Sequence, residues 1–185
     1  MNVTAPKSSI AQSTMILILL AETAFFGTFL MSYLFMRTGG TGAEVAQIAP
    51  IDQLLAALNT VVLLLSVGTM WRADAQIRQD RRDGLKANLA YSLVLGGLFI
   101  VGQIVEFAHS GMAVNDTHLG GIFFALIGFH ALHVIAGMTV LIITYSRAKR
   151  GDFTAKHFTS VQMGAWFWYY VAAVWCILFV ALFLV

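Results

Sequence analysis

The stretch HLGGIFFALIGFHALHVIAGMTVLIITYS, residues 118–146, decides the fold because it contains no Asp, Glu, Lys or Arg. An α-helix rises about 1.5 Å per residue, so this stretch is longer than the roughly 30 Å hydrocarbon core of a bilayer. In the whole chain only 11% of residues are charged, whereas soluble domains carry roughly a quarter. We therefore predict that residues 118–146 form a transmembrane helix.

Four other apolar runs are also about 20 residues or longer and contain few charged residues. They predict further transmembrane helices at about residues 14–36, 52–71, 87–107 and 161–185. Both prolines lie outside these spans, and the chain shows no internal repeat. The sequence thus predicts an all-α integral membrane bundle of five transmembrane helices, forming one domain over residues 1–185.

The basic residues of the connecting segments predict the orientation of the bundle. Ten of the eleven Lys and Arg residues fall in the N-terminal tail, the second loop and the fourth loop, whereas Arg37 alone falls on the other side. Segments rich in Lys and Arg stay on the cytoplasmic side. We therefore expect the N-terminus inside and the C-terminus outside, in a multi-pass protein of a bacterial plasma membrane.

Several functional classes find no support in the residues. The net charge of +2 is too small to favour a nucleic-acid partner, and the single cysteine, Cys176, cannot form a thiolate metal site. The first residues lack the apolar core and cleavage site of a secretory signal peptide, so we expect the first span to be retained. No catalytic motif is recognisable, and we predict neither a catalytic residue nor a metal site.

Glu22 is the one formal charge inside the first predicted span. Ionisable groups in a membrane interior usually face protein or a cavity. Two interpretations follow: a hydrogen-bonded carboxyl that holds helices together, or a carboxyl that takes part in proton transfer. A small transporter that uses Glu22 is a related alternative.

Two histidines of the fourth span, His130 and His133, lie three residues apart and so share one face of a helix. We expect them to be neutral and to bridge helices or contact a lipid headgroup, and with Glu22 and Glu106 they are candidates for a proton-linked role. A haem-b membrane anchor that uses one of them is the alternative, although a bis-histidine haem needs ligands on two facing helices. Glu106, at the end of the third span, is a further buried or interfacial polar group.

Aromatic residues open the fifth span at residues 166–170. A cluster of this kind suits the interface belt of a membrane helix. It also suits a surface for lipid, so we predict that Trp166 and Trp168 contact lipid.

The order of these motifs resembles subunit III of the haem-copper terminal oxidases. The resemblance runs from about residue 14 to residue 185 and is strongest in a segment that resembles the family's Gly-Phe-His-Gly-Leu-His-Val. The matching stretches are AETAFFG (21–27), LNTVVL (58–63), QIVE (103–106), GFHALHVIAG (128–137) and GAWFW (164–168). The five-helix length is similar to the short bacterial form of this family.

The resemblance implies a non-catalytic subunit of a proton-pumping oxygen reductase of the cytochrome c oxidase type. Haem and copper would then lie in partner subunits I and II, and electrons would come from cytochrome c or quinol. This subunit would bind phospholipid and support assembly and sustained turnover. The resemblance also implies that Arg147 and His157 face lipid headgroups. Alternatives within the family are a quinol oxidase subunit III and a nitric oxide reductase-associated subunit.

The last helix departs from the family pattern at three positions. Tyr169 and Ala172 stand where the family usually has His and Asp, and Gln162 stands where it usually has Glu. These replacements therefore argue against a proton-linked role that uses the family's His, Asp or Glu side chains in this chain.

Overall fold

The computed structural model describes residues 7–38, 50–109 and 118–184. Within them the chain is helical and contains no strand, apart from one isolated bridge between Thr154 and His157. The helices are α1 (Lys7–Thr38), α2 (Pro50–Arg78), α3 (Arg82–His109), α4 (His118–Arg150) and α5 (Thr159–Phe179), and α5 continues into a π-helical turn, Val180–Leu184. Five helices of this described part are long and apolar enough to cross a membrane. This confirms the fold class that the sequence predicts.

The helices extend beyond the apolar runs because their ends are polar and can project out of the hydrocarbon core. The second run ends near residue 71, but α2 continues to Arg78, where the Arg78 Nε atom lies 2.9 Å from Asp74 Oδ2. Ion pairs with this four-residue spacing support an exposed helical turn. Val185, the last residue of the predicted fifth span, lies outside the described residues.

A tight turn joins α2 to α3. The Arg81 N–H donates to the Gln76 carbonyl at 2.9 Å, and Asp80 has a positive φ of 56°. Asp and Asn tolerate this left-handed conformation better than most residues. The Asp80 carboxylate also accepts a hydrogen bond from the Ala155 N–H at 3.2 Å. The short turn makes α2 and α3 antiparallel neighbours, and Asp80 ties it to the loop between α4 and α5.

The core lies around α5, and two of its tryptophans occupy the centre. Trp168 and Trp175 are seven residues apart, so they project from the same side of the helix, and both are completely buried. In the most apolar 18-residue stretch of α5, 50% of the residues are buried within the bundle, compared with 6% in the corresponding stretch of α1. The last helix is therefore the centre of the bundle, and α1 lies at its edge.

Glycines permit the close packing around Trp168. A Cβ atom placed on Gly137 of α4 would lie 2.9 Å from Trp168 Cε3, and one on Gly96 of α3 would lie 2.9 Å from Trp168 Cη2. Real Cβ atoms essentially never approach that closely. The indole of Trp168 therefore occupies a slot that exists only because both neighbouring helices lack a side chain there.

Candidate functional site

A carboxyl–imidazole pair connects α1 to α4 about half-way along α1. Glu22 Oε2 lies 2.9 Å from His133 Nε2, and His133 Nδ1 lies 2.7 Å from the Phe129 carbonyl oxygen. The Phe26 ring packs against the imidazole in an edge-on arrangement at 5.0 Å. The structure thus brings together two residues that the sequence identified separately.

The number of protons on this pair follows from its geometry. The Phe129 carbonyl can only accept, so His133 Nδ1 must carry the hydrogen of that contact. The contact between His133 Nε2 and Glu22 Oε2 then requires one more proton, located on either the carboxyl or the imidazole. In both cases the pair has no net charge. It can therefore lie at membrane depth without an isolated charge, whichever of the two groups holds the proton.

His130 belongs to a different environment. Its ring is completely buried, stacks on Trp175 at 5.0 Å and meets Phe99 edge-on at 6.2 Å. Neither of its nitrogens has a hydrogen-bond partner within the part of the chain that the structure describes. Residues three apart differ by about 60° around an α-helix. That difference directs His133 towards Glu22 of α1 and His130 towards Phe99 of α3 and Trp175 of α5.

Glu106 also lies away from the pair, near the end of α3. Its Oε2 atom accepts a hydrogen bond of 2.7 Å from Gln103 Nε2, one turn earlier on the same helix. The structure places both side chains in a local contact of α3 that is separate from Glu22 and His133.

Hydrogen bonds from the two central tryptophans to α2 form a buried polar ladder. Trp168 Nε1 donates to Ser66 Oγ at 3.1 Å, and Trp175 Nε1 donates to Thr60 Oγ1 at 2.9 Å. These two hydrogen bonds were not predicted from the sequence. The signal was present, because the seven-residue spacing of the tryptophans is close to the six-residue spacing of the two hydroxyl residues on an antiparallel helix.

An apolar groove of about 440 Å³ lies between α1, α4 and α5, with Arg147 at one end. Arg147 Nη1 donates to Ser160 Oγ at 3.3 Å, and its Nε donates to Asp152 Oδ2 at 3.3 Å. The guanidinium also lies 5.0 Å from the centre of the Phe153 ring. The walls are mainly aliphatic, with Ile18, Val140, Ile143, Met163 and Phe167 among the lining residues. The groove is thus apolar along its length and cationic at one end.

The other residues predicted to bind lipid occupy different places. Trp166 is partly buried on α5, and His157 is exposed in the loop that precedes α5. Trp168 is completely buried in its glycine slot. A fully buried side chain offers lipid no contact surface, so Trp168 acts in helix packing.

The three positions that depart from the family pattern all lie on α5. Gln162 Oε1 accepts a hydrogen bond of 3.3 Å from Gln12 Nε2 and so links α5 to α1. Ala172 is buried, and the Tyr169 hydroxyl is buried without a hydrogen-bond partner among the described residues. Two of these positions therefore contribute to packing between helices, and nothing in the structure explains the Tyr169 hydroxyl.

The described residues contain no group of three or more His, Cys, Asp or Glu side chains that could hold a metal ion. His130 lies between aromatic rings, and His133 contacts Glu22. The described residues thus form three polar or lipid-accessible features. These are the Glu22–His133 pair, the hydrogen bonds from the two tryptophans to α2, and the apolar groove that ends at Arg147.

Comparison with known proteins gives a consistent result. A family model described as cytochrome c oxidase subunit III matches residues 5–185. The "Probable cytochrome c oxidase subunit 3" of Rickettsia prowazekii is 31% identical over 182 residues, which cover 89% of this chain and 65% of that protein. The mouse (Mus musculus) and bovine (Bos taurus) cytochrome c oxidase subunit 3 are 31% and 33% identical, each over 91% of this chain and 67% of the relative. The chain thus spans about two thirds of the length of these relatives.

Proposed function

Because this chain belongs to the cytochrome c oxidase subunit III family, we propose that it serves an oxygen-reducing haem-copper oxidase as a non-catalytic membrane subunit. The observation that carries this proposal is the family match over residues 5–185, together with the apolar character of all five helices. The complex would lie in a bacterial plasma membrane and pump protons. Haem and copper would be held by its subunits I and II, and cytochrome c or quinol would supply the electrons.

The test of this proposal is purification of the complex through a tag on this chain in a mild detergent. A reduced-minus-oxidised spectrum and mass spectrometry of the co-purifying chains are then recorded. We expect haem absorption together with a large catalytic subunit and a copper-binding subunit. The copper-binding subunit then identifies the class of electron donor. A folded chain that purifies alone and colourless contradicts the proposal.

Phospholipid binding is the specific role that the groove between α1, α4 and α5 supports. From Ala136 to Arg147 the groove runs along twelve residues of α4, or about 16 Å for eleven steps of 1.5 Å. This is close to the thickness of one leaflet, about half of the roughly 30 Å hydrocarbon core. An acyl chain would fill the apolar part, and the phosphate would meet the Arg147 guanidinium and the Ser160 hydroxyl, which are suitable hydrogen-bond donors for it.

Replacement of Arg147 by glutamine tests this site. Arg147→Gln keeps the hydrogen-bonding capacity of the position but removes the charge, and we expect at least a threefold loss of tightly bound phospholipid per purified chain. Arg150→Gln is the matched control, since Arg150 is exposed at the end of the same helix and outside the groove. Equal phospholipid content in both variants, measured by mass spectrometry of extracted lipid, contradicts the assignment.

Support of sustained turnover is the second part of the proposed role. The Glu22–His133 contact and the Gln12–Gln162 contact both tie α1 to the other helices, and α1 also forms one wall of the lipid groove. A subunit that holds lipid against the catalytic core would preserve the surroundings of its proton entry. We expect the oxidase without this chain to start at a similar rate and to lose activity faster during turnover. If oxidase activity declines at the same rate with and without this chain, the result argues against this role.

A further inference from the structure

The apolar groove between α1, α4 and α5 runs from its cationic end at Arg147 towards the middle of the membrane. Because α4 is antiparallel to α1 and α5, residue numbers decrease along α4 away from Arg147 and increase along the other two helices. The lining residues farthest from Arg147 are Ile18 of α1, Ala136 of α4 and Phe167 of α5. The apolar lining therefore stops at one level on all three walls.

The next turn of each wall carries polar side chains that contact one another. Residues three or four positions apart lie on the same face of a helix, which places Glu22, His133 and Tyr170 one turn beyond the last lining residues. Glu22 Oε2 lies 2.9 Å from His133 Nε2, and the Tyr170 hydroxyl lies 3.5 Å from Thr23 Oγ1. At this level α1 is thus joined to both of the other walls.

Aromatic rings fill the space between α1 and α4 beside and beyond this contact. The Phe26 ring packs edge-on against the His133 imidazole at 5.0 Å. The rings of Phe25 and Phe29 lie 5.0 and 5.5 Å from the Phe129 ring of α4. These rings occupy the space that a continuation of the groove between α1 and α4 would need.

The length of the groove matches one leaflet. It extends about 16 Å from Ala136 to Arg147 at 1.5 Å per residue, and one leaflet contributes about 15 Å of hydrocarbon, half of the roughly 30 Å core. A longer chain must bend out of the groove, which loses van der Waals contact with its walls. Its other course is to separate Glu22 from His133, which leaves polar groups unbonded at membrane depth.

We propose that the Glu22–His133 contact, with Tyr170 beside it, ends the lipid groove and limits the length of the acyl chain that the groove holds. The groove then selects phospholipids whose chain spans a single leaflet, and Glu22 and His133 determine this specificity. The inference rests on the proposed phospholipid site, because without a bound lipid there is no chain to select.

Competition between two phospholipids that differ only in chain length tests the limit. The protein, purified through a tag on this chain and depleted of lipid, is incubated in detergent with equal amounts of dipalmitoleoyl- and dieicosenoyl-phosphatidylcholine. It is then washed, and mass spectrometry measures the retained lipid. We expect the unmodified protein to retain at least threefold more of the shorter lipid, and a variant with both Glu22→Ala and His133→Ala to lose this preference.

The matched control for the double variant is Glu22→Gln. Its amide can donate to His133 Nε2, so the contact persists and the preference for the shorter lipid should remain. An unchanged preference in the double variant overturns the inference. Retention of neither lipid by the unmodified protein refutes the phospholipid site itself, whereas equal retention of both refutes only the limit on chain length.

Shortening the groove gives a second test that leaves the Glu22–His133 pair intact. Ala136 is exposed and lines the groove at its deep end, so Ala136→Leu should shorten the groove without disturbing the core. We expect retained dimyristoleoyl-phosphatidylcholine to rise at least twofold relative to the dipalmitoleoyl lipid. Thr139→Leu is the control, since Thr139 is exposed on the same helix and outside the groove. The same lipid ratio in both variants overturns the inference.

Discussion

The slot around Trp168 allows a sharp test of packing, because two glycines of α4 have opposite surroundings. In Gly137→Ala the new Cβ atom lies 2.9 Å from Trp168 Cε3 and 3.4 Å from Phe167 Cε1, whereas Gly128→Ala places it in open space. Alanine is favoured over glycine in a helix by up to about 1 kcal/mol. Overpacking a close-packed core costs about 1–3 kcal/mol. Trp168 cannot move aside cheaply, since it is fully buried and bonded to Ser66.

We therefore expect Gly128→Ala to be neutral or stabilising by up to about 1 kcal/mol. Gly137→Ala should have a free energy of unfolding about 1–3 kcal/mol lower than Gly128→Ala. That difference corresponds to about 5- to 160-fold in the unfolding equilibrium. Unfolding in mixed micelles of increasing sodium dodecyl sulfate content, followed by tryptophan fluorescence, measures it.

A double-mutant cycle identifies the cause of the difference. If the clash is with the indole, Gly137→Ala should cost less when Trp168 is replaced by leucine, and the two changes should not be additive. Additive effects, or a Gly137→Ala protein as stable as Gly128→Ala, would show that the slot is not as tight as the structure indicates.

Three further predictions concern single contacts, each measured by the same unfolding assay. Trp175→Phe should lower the free energy of unfolding by about 1 kcal/mol through loss of the indole hydrogen bond, and no change would contradict the buried ladder. Asp80→Asn should be nearly neutral because asparagine tolerates positive φ and can still accept from the Ala155 N–H, whereas Asp80→Ala should cost about 1–2 kcal/mol. Glu22→Gln should cost less than Glu22→Leu, since the amide can donate to His133 Nε2; the reverse order would mean that the proton of the pair lies elsewhere.

The five spans could be predicted from the sequence because membrane insertion is decided by composition along one segment at a time. The run from residue 118 to 146 has no formal charge and needs no knowledge of its neighbours. The family could also be recognised, since its motifs lie in register along the chain. Helix ends were less predictable, because residues such as those between 72 and 78 are polar but still helical.

The partners of the buried polar residues could not be predicted in the same way. The position of Glu22 in an apolar run shows that its carboxyl must be satisfied, but not by which residue. That choice depends on how α1 and α4 are rotated against each other, which brings His133 to Glu22 and turns His130 towards Trp175. The burial of Trp168 has the same origin, since an aromatic residue near the start of a span suits both an interface and a core.

The position of Trp168 also bears on biosynthesis. During translation α5 leaves the ribosome after α1 to α4, and until it inserts, the Ser66 hydroxyl lacks the indole that bonds it and the space at Gly137 lacks the side chain of Trp168. The earlier helices can enter the membrane in order, but their mutual arrangement is fixed only when the indole is in place. Packing around Trp168 is therefore a late step of assembly, and a nascent chain halted before residue 168 should leave α2, α3 and α4 without the side chain that they enclose.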